Sequence, residues 1–394
     1  MALSEIQQAT TILNRATNIL LTVPAKASPD ALSSMIALCL ALQTNNATDS
    51  DHIIDQVSAS HIPRSLQFLA GSSQIKTEPT QQPEVVIDMV GPHTIKSIHQ
   101  KQLSGGTRIH ISFPLDTTIS KDQLETSVRL LPYDAIIVIG ATDLDELGAT
   151  FTKNADFFYN TPLINIDHRA ANEQFGTVNL VDITAGSCAE VVFDFISAHS
   201  PNVLGPDIAT ALYAGIVSGT DSFQKPSTTP RSFQAAAHLI EHKAKRELVI
   251  QHLVKTKPLK LIKLTGSVYA HLRYEEQARL YWTLLEKKDF DESHASSEDV
   301  SAVMYELSNN IAGFNAAFLL YEPSLGVNDK PTVNTETRFH VYLLLGHGLR
   351  SRRREIQEIL SATRENGALI FKITAPTIEA AEQKAHEKIK QILP

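Results

Sequence analysis

The sequence predicts an α/β protein in two parts, a parallel sheet covered by helices and then a smaller α+β domain. Three observations carry this expectation. Short apolar runs alternate with amphipathic stretches through the first two-thirds of the chain. Beyond about residue 265, strand-like runs follow one another around a turn-rich loop before a charged closing helix. The length, 394 residues, suits two domains of roughly 100–200 residues each. The expected boundaries are 1–243 for the first domain, 244–264 for a basic, helix-compatible connector, and 265–394 for the second domain.

Taken in order, Ser4 opens a helix with Ile6, Ile12 and Leu13 apolar, and ILLTV (Ile19–Val23) follows as a strand. In SPDALSSMIALCLALQ, Ser28 is a natural N-cap and Pro29 occupies the first helical position. Further strands are expected at Glu84–Val90, Arg108–Phe113, Ala135–Gly140 and Pro162–Asp167. Helices are expected at Lys121–Leu131, Leu144–Thr152, Ser187–Ala198, Asp207–Val217 and Pro230–Lys243. In the last third, strands are expected at Ala317–Tyr321, Phe339–Leu345 and Gly367–Ala375, and a helix at Ile378–Leu393. Glu286–Glu298 reads as a solvated loop, with Ser296 or Ser297 capping the helix after it.

Lys and Arg number 35 against 43 Asp and Glu, a net charge of −8, which argues against coating a long nucleic acid through bulk electrostatics. The apolar fraction of 43% with 20% charged residues excludes a disordered or collagenous chain. Cys39 and Cys188 are the two cysteines, too few for a disulfide scaffold or a thiolate zinc site, and both read as small buried hydrophobes. The opening stretch lacks the layout of a signal peptide, and no apolar run reaches the 18 residues of a membrane span. The expectation is a cytoplasmic protein.

In an open parallel sheet, ligands bind beyond the carboxyl ends of the strands. Asp30 follows the first strand, Asp143 and Asp145 follow AIIVIG, Asp167-His168-Arg169 ends PLINID, and Thr220 and Asp221 follow the helix ALYAGIV. In INIDHRAANEQFGTVNLVDITAGSCAEVV, the order of Asp167, His168, Asn172, Phe175, Gly176, Asn179, Val181, Asp182, Ser187 and Glu190 resembles the DHH phosphoesterase family. That family includes RecJ-like exonucleases, nanoRNA phosphatases and cyclic-dinucleotide phosphodiesterases. PDALSSMIALCLAL resembles its first motif, and ALYAGIVSGTDSFQKPSTTPRSF its fourth. The resemblance implies a parallel-sheet domain facing, across a cleft, a second domain that grips the substrate.

The resemblance also implies two manganese or magnesium ions held by Asp and His, a pair that polarises a phosphoryl oxygen and generates a hydroxide. Hard cations need oxygen-rich shells. Here the first motif places Pro24, Ser28 and Asp30 at its ligand positions, or Lys26 for the His if a gap is opened. The second motif's Asp is Gly140, the third motif's second His is Arg169, and the fourth motif's Asp is Gly219. Asp30, Asp167 and His168 remain as vestigial metal candidates, with Asp143 and Asp221 as stand-ins. Arg169 repels cations and can pair with Asp167, with Asp30 or with a phosphate.

Each of these residues also has a structural reading. Asp30 favours a helix dipole, Ser187 and Glu190 have capping-box spacing, and Thr229-Pro230 starts a helix. Arg169, Asn172, Ser187 and Thr220 are the candidate phosphate contacts of the first domain, and Arg350, Arg352 and Arg353 those of the second. These arginines can instead pair with Glu355 and Glu358 on a solvated helix face. The family's glycine-rich substrate grip has no counterpart in SATRENGALIF. Residues 346–394 carry nine Lys and Arg against six Asp and Glu, so +3, which leaves −11 on the rest.

Three functions stay open. The first is a degenerate family member, without cofactor, that binds a nucleotide or short oligonucleotide. The second is a working phosphoesterase with a reduced manganese or magnesium site. The third is a partner subunit, as a homodimer or with another protein, using an inserted strand pair at about 84–113.

Overall fold

The computed structural model describes residues 3–45, 53–91, 93–115, 117, 119–120, 123–323, 337–365 and 367–393. The chain divides into two compact units, Met1–Thr256 and Lys257–Pro394.

The first unit runs α1 (Glu5–Arg15), β1 (Ile19–Thr22), α2 (Pro29–Asn45), β2 (Ile54–Val57), β3 (Glu84–Met89), β4 (Ser97–Leu103), β5 (Gly106–Ser112), β6 (Leu124–Arg129) and β7 (Ala135–Ile139). It continues α3 (Ala149–Thr152), α4 (Ala155–Asn160), β8 (Leu163–Asp167), β9 (Val178–Val181), α5 (Cys188–His199), α6 (Pro206–Gly219), α7 (Pro230–Glu241) and α8 (Arg246–Val249). Five strands pair in the order β2-β1-β7-β8-β9, all parallel. Side-chain alternation divides the strands between two cores. Ile19, Leu21, Ile137, Ile139 and Ile164 pack against α2, α5 and α6, while Leu20, Ile136, Val138 and Leu163 face Phe151 and Phe158. Ser4 caps α1 in a reciprocal box with Gln7 (3.3 and 3.0 Å), and Ser28 Oγ accepts from the Ala31 N–H (3.1 Å) to start α2.

The chain turns one way from β1 to β2 and the other way from β7 to β9, so the strand order reverses at β1 and β7. The crevice beyond the carboxyl ends of those two strands is the switch point where such sheets take ligands.

Three expectations for this unit are corrected. The helix expected at Lys121–Leu131 is the strand β6 over Leu124–Arg129, with Lys121 and Asp122 outside the described residues. Thr126, Ser127 and Val128 are poor helix formers, and the ladder with β3, from Glu84–Arg129 to Met89–Leu124, takes up their backbone groups. The inserted strands at 84–113 form but do not pair with each other: β3 pairs with β6, and β4 pairs with β5 through a two-residue Ser104-Gly105 turn. The helix expected at Leu144–Thr152 is broken at Gly148 (φ +58°), where a 3₁₀ turn at Asp145–Leu147 gives way to α3.

The second unit runs α9 (Leu259–Ala270), β10 (Arg273–Glu275), β11 (Leu280–Leu285), α10 (Lys287–Ser293), α11 (Val300–Asn310), β12 (Ala316–Tyr321), β13 (Thr337–Leu345), α12 (Arg353–Leu360), β14 (Thr363–Glu365), β15 (Ala368–Ala375) and α13 (Ile378–Lys390). Its six strands pair in the order β10-β11-β12-β13-β15-β14, antiparallel except for β11 with β12. Phe318, Val341 and Phe371 pack under α12 and α13, and Leu319, Tyr321 and Tyr342 pack under α9 and α11. The solvated loop expected at Glu286–Glu298 is corrected to the short helix α10, which buries Phe290 and Ser293. Most of the turn-rich loop after β12 lies outside the described residues.

Candidate functional site

Asp30 stands in the first turn of α2, directly after β1, and is 4% exposed. Its Oδ2 accepts the Cys188 N–H (2.8 Å), its Oδ1 accepts the Ala189 N–H (3.1 Å), and Ser34 Oγ donates to Oδ1 (3.4 Å). The carboxylate therefore caps a second helix, α5, whose first N–H groups have no intrahelical acceptor. Burial pushes the Asp30 carboxyl above the ordinary range, against these hydrogen bonds and nearby His168. The close approach depends on α6 glycines. A Cβ at Gly215 would lie 2.5 Å from Ala189 Cβ, and one at Gly219 would lie 2.5 Å from Ser187 Cβ and 3.0 Å from Asp30 Oδ2.

Asp167, at the end of β8, is fully buried. Its Oδ1 accepts the His168 N–H (2.7 Å), and Arg169 Nε donates to both oxygens (3.1 Å each). Asn172 Nδ2 also donates to Oδ2 (3.0 Å). The same guanidinium reaches the Gly140 carbonyl through Nη2 (2.6 Å) and Glu146 Oε2 (3.4 Å). Arg169 thus ties the end of β8 to the end of β7. Burial opposes its charge, but the hydrogen bonds and attraction of Asp167, with Glu146, raise its pKa further. Gly140 (φ +71°) accepts this packing because it has no side chain: a Cβ would lie 2.9 Å from Ala31 Cβ and 3.3 Å from Cys188 Sγ.

A cavity of about 620 Å³ opens at this switch point. Asp30, Gly140, Glu146, His168, Arg169 and Gly219 are among its lining, together with Lys26 and Lys225. Lys225 Nζ donates to the Gly219 carbonyl (2.7 Å). Cations thus touch the backbone at both glycines that stand where the resemblance places carboxylates.

The other expected residues are distributed as follows. Asn172 stitches the loop, donating to the Ala141 carbonyl (2.8 Å) and accepting from Asn165 (2.8 Å). Ser187 N-caps α5, accepting the Glu190 N–H (3.3 Å). The reciprocal half of the capping box is replaced, because Glu190 Oε1 accepts from Ser187 Oγ (3.2 Å) and Ser232 Oγ (2.9 Å). Thr220 is buried, and its hydroxyl donates to the Ile216 carbonyl (2.6 Å). Asp143 accepts from the Glu146 N–H (3.0 Å), and Asp221 lies in a left-handed turn (φ +50°); neither lines the cavity. Arg350, Arg352 and Arg353 belong to the second unit, where Arg352 grips Glu355 with two hydrogen bonds (2.9 and 2.7 Å).

Sequence reasoning missed Glu146, Lys225 and the placement of Cys188. Cys188 is buried as expected, yet its Sγ lies 3.8 Å from Asp167 Oδ1 at the cavity wall. The signal was its position directly after the N-cap Ser187, which puts it in the first turn of a helix aimed at the strand ends. Burial, with the neighbouring carboxylates, pushes its thiol well above the ordinary value.

The donor set does not fit a pair of hard cations. Asp167 gives both oxygens to Arg169 and Asn172, Asp30 gives both to the start of α5, and positions 140 and 219 carry no side chain. Asp30, His168 and Cys188 do place one donor atom each within 4.8 Å of one another, a mixed O, N, S set suited to a single softer ion.

Comparison with known proteins accords with this architecture. An exopolyphosphatase-related protein from Bacteroides fragilis has the same fold, with a TM-score of 0.67 at 15% identity over 99% of this chain and 97% of that one. The bifunctional oligoribonuclease and PAP phosphatase NrnA of Bacillus subtilis (strain 168) is 26% identical over 156 residues, 39% of this chain and 49% of the relative. The protein of the same name from Thermus thermophilus is 30% identical over 116 residues, 28% of this chain and 34% of its own length. The matched region thus spans half or less of these curated relatives. The model of the DHH family, N-terminal domain, matches residues 18–216, which hold β1, Asp30 and the Asp167-His168 pair, so the chain belongs to the DHH family.

Proposed function

We propose that this DHH-family chain binds a short phosphorylated ligand, a nucleotide or an oligonucleotide of a few residues, without two-metal hydrolysis. The observation that carries the reading is Arg169, whose guanidinium bridges Asp167 and the Gly140 carbonyl at the switch point. A guanidinium held there supplies positive charge at the cavity wall without a metal. Lys26, Lys225 and Ser28 share the cavity wall and add donors. The NrnA relatives are named for oligoribonucleotides and PAP, which are short phosphorylated ligands. The net charge of −8 favours a short anion over a long one.

The test is calorimetric titration of the whole chain with PAP and a dinucleotide, with and without manganese, alongside measurement of phosphate release. The expected result is saturable binding without metal and no release, with Lys225→Met weakening affinity about tenfold, roughly the loss of one charged hydrogen bond. Manganese-dependent release with two bound ions per chain refutes it.

The cluster of Asp30, His168 and Cys188 favours a second reading, a phosphoesterase with one softer ion. When bound, the ion would supply Lewis-acid polarisation of a phosphoryl oxygen. One zinc per chain, lost in Cys188→Ser together with phosphate release, would support that reading over the first.

A further inference from the structure

The segment between β2 and β7 builds two ribbons, β3–β6 and β4–β5, together called the arm, and neither joins the five-stranded sheet. Two-stranded ribbons are marginal in water unless a hydrophobic face is covered. On β3–β6 the register places Val85 opposite Val128 and Ile87 opposite Thr126 on one face, and Val85 and Val128 are 68% and 79% exposed. On β4–β5, Ile98 opposite Ile111 shares a face with Ile109, and Ile98 and Ile109 are 61% and 57% exposed. Contiguous exposed apolar faces of this kind mark interaction surfaces.

The charges identify the occupant. At the base of the arm the cross-strand pair is matched: Arg129 Nε bonds Glu84 (3.0 Å) and its Nη1 bonds Asp134 (3.1 Å). Farther out the pairs are mismatched. Asp88 lies opposite Glu125 on the first ribbon, and Lys101 lies opposite Arg108 on the second. Like charges directly opposite each other destabilise a ladder. None of these four side chains enters an ion pair among the described residues. Each ribbon thus carries an uncompensated pair that the other ribbon would neutralise.

We infer that the arm is covered by the arm of a second copy of this chain, β3–β6 of one protomer lying edge to edge with β4–β5 of its partner. Edge pairing satisfies the open strand edges. It sets Asp88 and Glu125 beside the partner's Lys101 and the partner's Arg108 on one side of the joined sheet. On the other side it merges the Val85–Val128 strip with the partner's Ile98 strip. The two-fold axis generates a second such sheet, and the two apolar faces close on each other as a sandwich. The inference is independent of the switch-point cavity.

Sedimentation equilibrium of the whole chain, across protein concentration and salt, tests it. The expected result is a dimer whose dissociation constant rises with salt. Asp88→Lys with Glu125→Lys weakens it at least tenfold, as does Lys101→Glu with Arg108→Glu. Combining all four changes, which exchanges the charges between ribbons, restores dimerisation and excludes simple misfolding as the cause. A wild-type chain that stays monomeric throughout, or charge variants that dimerise like the wild type, overturns the inference.

Discussion

Gly219 stands where the family resemblance places a carboxylate, and Gly219→Ala measures how tightly that position is packed. The added Cβ would sit 2.5 Å from Ser187 Cβ and 3.0 Å from Asp30 Oδ2. Non-bonded carbons settle at about 3.5–4.0 Å, so at least 1 Å must be absorbed by groups that are both buried. Helix propensity works the other way, since alanine is better than glycine by up to about 1 kcal/mol in a helix interior, and by less at a helix end. Overpacking costs about 1–3 kcal/mol, and moving Ser187 or Asp30 also loosens the cap of α5. The clash wins. The net loss is about 1–3 kcal/mol, read as a lower urea midpoint with unchanged slope when unfolding is followed by far-ultraviolet circular dichroism. Gly266→Ala in α9 is the control, because a Cβ there meets nothing within 4 Å. It should be neutral or stabilising by up to about 1 kcal/mol. If Gly219→Ala matched or exceeded the wild-type midpoint, the close-packing account of Gly219 would be refuted.

Two further outcomes follow from the ion pairs. Arg169→Met leaves fully buried Asp167 without its cation. The expected loss is about 2–3 kcal/mol, below the usual cost of breaking a buried pair because the Arg169 side chain is 38% exposed. Asp167→Asn in that background should recover part of the loss, and additive losses in the double-mutant cycle would argue against the pair. Asp182 is paired with Arg231 and Thr184; burial opposes its charge, but the hydrogen bonds prevail and hold its carboxyl at about 2 against an ordinary 3.8. Its stabilisation is therefore present above 3.8 and lost as pH falls toward about 2. In Asp182→Asn the melting temperature should be lower near neutrality and fall less steeply across that window, whereas a profile parallel to the wild type would contradict the assignment.

Much of the fold is written locally. The apolar runs of β1, β7 and β8, the caps at Ser4, Ser28, Ser187 and Thr229, and the Pro that opens α2, α6 and α7 all follow from period and end chemistry within a few residues. Asp30, His168 and Arg169 meet at the cavity for the same reason, since each follows the carboxyl end of a parallel strand. The partner of each charge is not local. The sequence left Arg169 free to neutralise Asp167 or Asp30; its own loop and the carbonyl of Gly140 direct it to Asp167. Asp30 read as a charge on its own helix dipole, yet it caps α5, 158 positions away in the chain, because α6 glycines let the helices close. Leu124–Arg129 is a strand because β3 offers a ladder that no short window of sequence contains. Periodicity and caps depend on neighbours along the chain, so they can be read from it; burial, charge pairing and ladder partners depend on neighbours in space, which folding alone assigns.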